Sequence, residues 1–253
     1  MKKILIFLLV LCMLLSLSGC ALLLFAGEET ESNTKSTVNK INTTEAENTS
    51  SPYEITYSSV KTYKDSIGTT WAQVIVEIEN TGLYNLFLES GICDLEDTEG
   101  TLVASKNISV FPQIIAPGEK AYYYDEYLLD SLAEAIELRI IPRLQVKKST
   151  SEHITYPVTD VSITDFTYGG LKVMGRVENT TNSEDSMIYV VITLFNEASE
   201  PIGLAYTILA DDLTPGEKVG FELTASSFPN EVTADSVASY TAVAYPHQYQ
   251  IFS

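Results

Sequence analysis

The chain repeats itself, and the repeat limits what it can fold into. Val76-Glu-Ile-Glu-Asn-Thr81 recurs as Gly175-Arg-Val-Glu-Asn-Thr180, and Ala116-Pro-Gly-Glu-Lys120 recurs as Thr214-Pro-Gly-Glu-Lys218. The offset is 99 residues at Asn80 and Asn179 and 98 at Pro117 and Pro215. Between the two motifs each copy carries an apolar run, a polar turn and a second apolar run. These are Ile92 to Glu96, Asp97 to Gly100 and Leu102-Val103, then Ile192 to Phe195, Asn196 to Glu200 and Ile202 to Leu204. Matched order at matched spacing marks two tandem units. They run over 52–150 and 151–253, meeting near Thr150.

Within each unit the pattern is that of strands. Ala72, Val74, Val76 and Ile78 alternate with Gln73, Glu77 and Glu79, with Ile75 the exception. Leu171, Val173, Gly175 and Val177 alternate with Lys172, Met174, Arg176 and Glu178. Period two is the signature of a half-buried strand. Met187 to Phe195 is apolar on both faces apart from Thr193, as a central strand would be. Turn chemistry separates the runs at Asn80-Thr-Gly82, Asp97 to Gly100, Pro117-Gly118, Tyr168-Gly-Gly170, Asn179 to Asn182 and Pro215-Gly216. One segment departs from this. Leu128, Leu129, Leu132, Ala133 and Ile136 share a face at helical spacing, followed by a strand through Ile140 and Val146. The fold class expected is all-β: two tandem Ig-like antiparallel β-sandwiches, each of about seven strands.

The order strand, Glu-Asn-Thr, central strand, Leu-Phe-Asn, Ile-Gly and Leu-Thr-Pro-Gly-Glu-Lys resembles the FxLYD-type domain of bacterial surface lipoproteins. The motif falls on Ile192, Thr193, Leu194, Phe195 and Asn196, matched by residue class. The first copy, Ile92 to Glu96, departs further. The resemblance implies an Ig-like sandwich and a surface location, and it implies no catalytic residue.

The N-terminus supplies an address. Lys2 and Lys3 precede an apolar run from Ile4 to Leu17, and Leu17-Ser-Gly-Cys20 closes it. This resembles the bacterial lipobox. The resemblance implies a signal peptide at 1–19, removed ahead of Cys20, and a diacylglycerol (with palmitate-type acyl chains) on the Cys20 sulfur. Apolar residues continue to Ala26, so an uncleaved anchor helix is the alternative. Both place the remainder on the extracytoplasmic face of the cell membrane. Residues 20–51 then form the lipid-bearing end and a tether. From Gly27 to Ser51 its only large apolar residues are Val38 and Ile41, too few to offset the entropy of ordering it.

Charge and composition exclude several functions. The net charge is -19, and in the second unit Lys172, Arg176 and Lys218 stand against fourteen acidic residues. A nucleic-acid partner needs clustered cations, and docking flat on an anionic bilayer is opposed by the same charge. Of three cysteines, Cys12 lies in the leader, Cys20 carries the lipid and Cys93 has no partner, so Cys93 is read as a buried inert thiol. His153 and His247 lack the spacing of a zinc site, and no metal or other cofactor is expected. Asp94, Glu96, Asp97 and Glu99 do not fit an EF-hand, which leaves loop-held Ca²⁺, there or near Asp211-Asp212, as an open alternative to solvated turns. No nucleophile elbow or other catalytic motif is present, so an enzyme is not expected.

The residues singled out for binding are Tyr122, Tyr124 and Tyr127, in a cluster with no counterpart in the second unit. A row of tyrosines can meet a glycan or a protein, and it can also be ordinary strand chemistry. The expectation is a lipid-anchored, non-catalytic binding or adaptor module for a cell-envelope protein or glycan. The alternatives are a structural spacer and a solute- or glycan-capture module using the cleft between the units.

Overall fold

The computed structural model describes residues 51–65, 67–129, 137–167, 169–225, 228–229 and 232–247. The leader, Cys20, the tether up to residue 50, Tyr168 and most of the expected helix at 128–136 lie outside them. Of that helix, Leu128 closes a strand and Leu129 is buried.

The described chain is all-β and antiparallel. The first half holds β1 (Tyr53–Lys64), β2 (Thr70–Asn80), β3 (Leu86–Glu96), β4 (Leu102–Ile108), β5 (Val110–Phe111), β6 (Ile114–Ile115), β7 (Lys120–Leu128) and β8 (Arg139–Lys148). The second holds β9 (Val158–Asp165), β10 (Leu171–Glu178), β11 (Ile188–Phe195), β12 (Pro201–Leu209), β13 (Lys218–Ala225) and β14 (Ser239–Pro246). Sheet A has the order β1-β2-β7-β5. In sheet B, β3 lies between β8 on one side and β4 and β6 on the other. Sheets D and C have the orders β13-β10-β9 and β12-β11-β14.

The sequence repeat is a repeat of topology. The trio β1-β2-β7 corresponds to β9-β10-β13, and β4-β3-β8 corresponds to β12-β11-β14. Six strands are common to both halves rather than the seven expected. The first half adds the short β5 and β6, where the chain between β4 and β7 pairs once with β7 and once with β3.

Each half closes on its own core. In the first, Val74, Val76 and Ile78 of β2 meet Leu86, Leu88, Cys93 and Leu95 of β3. In the second, Leu171, Val173 and Val177 of β10 meet Ile188, Val190, Ile192 and Leu194 of β11. Cys93 is a free, fully buried thiol, and burial raises its pKa. The described residues from Ser51 to His247 belong to one compact unit.

The two repeated motifs make one device, built twice. Asn80 is fully buried; its Nδ2 donates to the carbonyls of Tyr84 and Ile115, both at 2.9 Å, and its Oδ1 accepts from Gly82 N–H at 2.9 Å. Asn179, also fully buried, donates to Ser183 (2.8 Å) and Leu213 (2.7 Å) and accepts from Thr181 N–H (2.9 Å). The backbone of each Asn is clamped to the Pro-Gly-Glu turn: Gly118 and Gly216 N–H donate to Asn80 and Asn179 carbonyls, both at 2.8 Å. Those glycines sit at φ 81 and 79, where a side chain would be strained. The glutamate then ties off the turn, Glu119 accepting from Ala116 N–H and Glu217 from Thr214 N–H. Glu-Asn-Thr and Pro-Gly-Glu-Lys recur together because each is half of one staple.

Candidate functional site

The outer face of sheet A packs against the outer face of sheet C. Phe111 stacks on Tyr206 (4.5 Å between centroids), Tyr122 meets Phe195 edge-on at 6.1 Å, and Tyr124 meets Phe228 edge-on at 5.7 Å. Gln73 of β2 donates to Tyr124 Oη of its own sheet (3.2 Å) and, across the seam, to the Ile202 carbonyl (3.3 Å). His153 Nε2 is 2.8 Å from Glu119 Oε2. β11 is therefore central in its sheet and covered on both faces, which is why its sequence shows no alternation. The same cover accounts for the burial of Ile75, the exception in β2.

The three tyrosines do not form an exposed surface, and this corrects the expectation from sequence. Tyr122 is 7 % exposed and Tyr127 1 %. β7 lies between β2 and β5 with its own core on one face and the second half on the other, so its side chains divide between the two. Tyr127 points into the core, donating to the Cys93 carbonyl at 3.0 Å and sharing a 2.8 Å hydroxyl contact with Tyr123. Tyr124 is spent on the seam. Tyr124 also lines a concavity of about 290 Å³ between the halves, and Tyr122 lines a larger one.

That concavity is a half-open cleft of about 450 Å³, within the range of small-ligand sites. Phe111, Tyr122 and Tyr156 supply aromatic walls, Val191 and Val243 an apolar floor, and Thr155, Thr193 and Thr241 line it as well. Its ionisable groups have side-chain partners. His153 sits against Glu119, and Lys120 binds the buried Glu77 carboxylate at 2.6 Å. Burial alone would raise the Glu77 pKa, but hydrogen bonds from Lys120, Thr56 and Tyr122 overcome it and hold the group below its usual value. Sequence reasoning missed Phe111, His153, Tyr156 and the threonines as a group, because the cleft is lined from five separated segments. Ile75 was the one sign that a second layer covers this face.

Beside the cleft, and sharing Pro112, His153 and Thr155 with it, is a chamber of about 10 Å³, room for about one water molecule. Tyr245 lines it. Its side chain is 8 % exposed, and its buried hydroxyl has no hydrogen-bond partner. Such a group costs about 1–3 kcal/mol. Tyr245→Phe is expected to raise the stability of the ligand-free protein by about 1 kcal/mol, read from the urea midpoint. A loss of that size would instead show that the hydroxyl is satisfied by a bound water.

Two of the carboxylates considered for Ca²⁺, Asp94 and Asp97, are engaged elsewhere. Asp94 pairs with Arg143 and accepts from Ser105, and Asp97 accepts from the backbone of Glu99 and Thr101 in its own turn. Among the described residues no group of three or more His, Cys, Asp or Glu is placed to hold a metal ion. His247 lies against the Tyr189 ring at 5.2 Å, away from the Glu119 contact of His153. Among known proteins, no protein-family model and no curated protein matches the chain.

Proposed function

We propose that this is a lipid-anchored, extracytoplasmic, non-catalytic binding protein whose ligand enters the cleft between the two halves. One observation carries the reading: the cleft exists only because the halves are fused, and its walls are more aromatic than a spacer requires. Flat rings beside threonine hydroxyls suit a ligand with an apolar face and a hydroxylated rim, the chemistry of an envelope glycan or a similar neutral solute. The lipobox-like Leu17-Ser-Gly-Cys20 and the FxLYD-like order of motifs support the membrane address.

The test uses Thr241→Trp. Thr241 is exposed on β14 and lines the cleft, so an indole there fills the cavity while suiting a strand. Cross-linking of intact cells and purification in detergent should recover a ligand or partner with the parent protein. The same material should be lost from Thr241→Trp, with melting temperature unchanged. Equal recovery from both would sink the cleft as the site. Recovery of nothing from either would favour a spacer.

A further inference from the structure

The halves differ in one strand switch. In the first, the chain leaves β4 and crosses to sheet A, where Val110 and Phe111 pair with Tyr123 and Tyr122 of β7. In the second, β12 stays on β11 as far as Leu209, paired with Ile188. Nothing among the described residues crosses to β13, the counterpart of β7, which is left as an edge strand. The shared Pro-Gly-Glu-Lys motif fixes the correspondence, placing Gly220 where Tyr122 stands and Phe221 where Tyr123 stands.

The backbone direction follows from hydrogen bonds at the strand end. Asn179 N–H donates to Glu217 on the β13 side (2.9 Å), and Glu178 N–H donates to Pro157 on the β9 side (3.2 Å). Backbone groups alternate sides along a strand. Val177 and Gly175 therefore face β13 and bond to Val219 and Phe221, their register partners. Gly220 and Glu222 turn their N–H and C=O to the free edge. In the first half the same alternation presents Tyr122 to Phe111.

A groove of about 300 Å³ lies at this edge, between Thr207, Ile208 and Leu209 of β12 and Val219, Gly220 and Phe221 of β13. Gly220 is exposed, in mid-strand and outside the positive-φ region. The nearest atom to a Cβ placed there would be the Gly175 carbonyl oxygen at 3.8 Å, so internal packing does not require a glycine. A glycine in an edge strand suits the close approach of another backbone. Around the groove the charge is acidic: Asp211 lines it, Asp212 adjoins it, and Glu222 is offset by Lys172 at 2.9 Å.

We infer that the edge of β13 is a docking site for an extended segment of a partner polypeptide, added as an antiparallel strand in the way β5 is added in the first half. The segment carries a β-branched or aromatic residue over the groove and Lys or Arg beside Asp211 and Asp212. A second copy of this chain, at net charge -19, would bring more acid to an acidic rim. The site is separate from the cleft and stands whether or not the cleft binds anything.

The probe is a fluorescein-labelled peptide, Lys-Ser-Val-Phe-Thr-Lys, patterned on β5 and titrated by anisotropy against the full chain in detergent. Saturable binding is expected. It should weaken about tenfold in Gly220→Pro, which removes one edge N–H outside the β10 ladder, and persist in Gly220→Ala. Asp211→Lys with Asp212→Lys should weaken it too, and carries the test alone if Gly220→Pro fails to fold. No saturable binding, equal binding of a Glu-flanked peptide, or equal binding by both the Gly220→Pro and the Asp→Lys variants would overturn the assignment. A concentration-dependent dimer that Gly220→Pro abolishes would also overturn it, by giving the edge to a second copy.

Discussion

Alkaline titration is expected to unfold the protein in one steep transition that starts near pH 10. Tyr122, Tyr123, Tyr124, Tyr127, Tyr156 and Tyr245 are all held above the ordinary tyrosine value of 10, in each case chiefly by burial, which opposes the phenolate. The folded values lie above the unfolded ones, so the contribution is whole below pH 10. Above it, the unfolded chain releases protons that the folded chain retains, and stability falls as the pH climbs toward the folded values. Each such proton is worth about 1.4 kcal/mol per pH unit. Six acting together approach about 8 kcal/mol per unit, less what water near the hydroxyls screens. A domain is stable by about 5–15 kcal/mol, so the transition should be complete within about two units. Tyrosinate absorbance and circular dichroism should change together. Full ionisation of these tyrosines with the circular dichroism of the native protein intact would show that the rings are not buried as described.

Those tyrosines mark the boundary between what was legible in the sequence and what was not. Strand periodicity shows which residues face inward, and it placed Val74, Val76 and Ile78 and the β10 set correctly. The repeat placed the turns, because a Pro-Gly pair and a turn-capping Asn each fix the backbone within a few residues of themselves. The partner of an outward face is set by contacts far apart in sequence, and no period reports it. Tyr122 and Tyr124 read as exposed because a strand's outer face is usually wet; here sheet C covers it. Ile75 and the doubly apolar run before Phe195 were the residues whose pattern already required a second cover. The β5 switch was illegible for another reason. Ser109-Val-Phe111 and Thr207-Ile-Leu209 are both good strand sequence, each separated by five residues from its Pro-Gly pair, and no local pattern distinguishes the sheet that receives them.

Replacing either staple asparagine should be the most damaging single substitution on the protein's polar side. Asn80→Ala leaves the Tyr84 and Ile115 carbonyls and the Gly82 N–H without their partner, and Asn179→Ala does the same at Ser183, Leu213 and Thr181. With no water at a fully buried position to replace the amide, a loss of about 2–4 kcal/mol is expected from each in urea unfolding. Asp at either position should be worse, since it removes both donations and buries a charge. The two sites lie in separate cores, so the double variant should lose about the sum. A loss below about 0.5 kcal/mol at either site would mean that the carbonyls find other partners and that the repeated motifs are not a staple. Function separates the two. The turn held by Asn80 ends in Glu119, which meets His153, and Lys120, and both line the cleft, whereas the turn held by Asn179 ends in Glu217, which does not line it. At equal cost in stability, Asn80→Ala should also weaken whatever enters the cleft, and Asn179→Ala should leave that affinity unchanged. Stability lost without this difference in binding would mean that the turn at Glu119 shapes the fold and not the cleft.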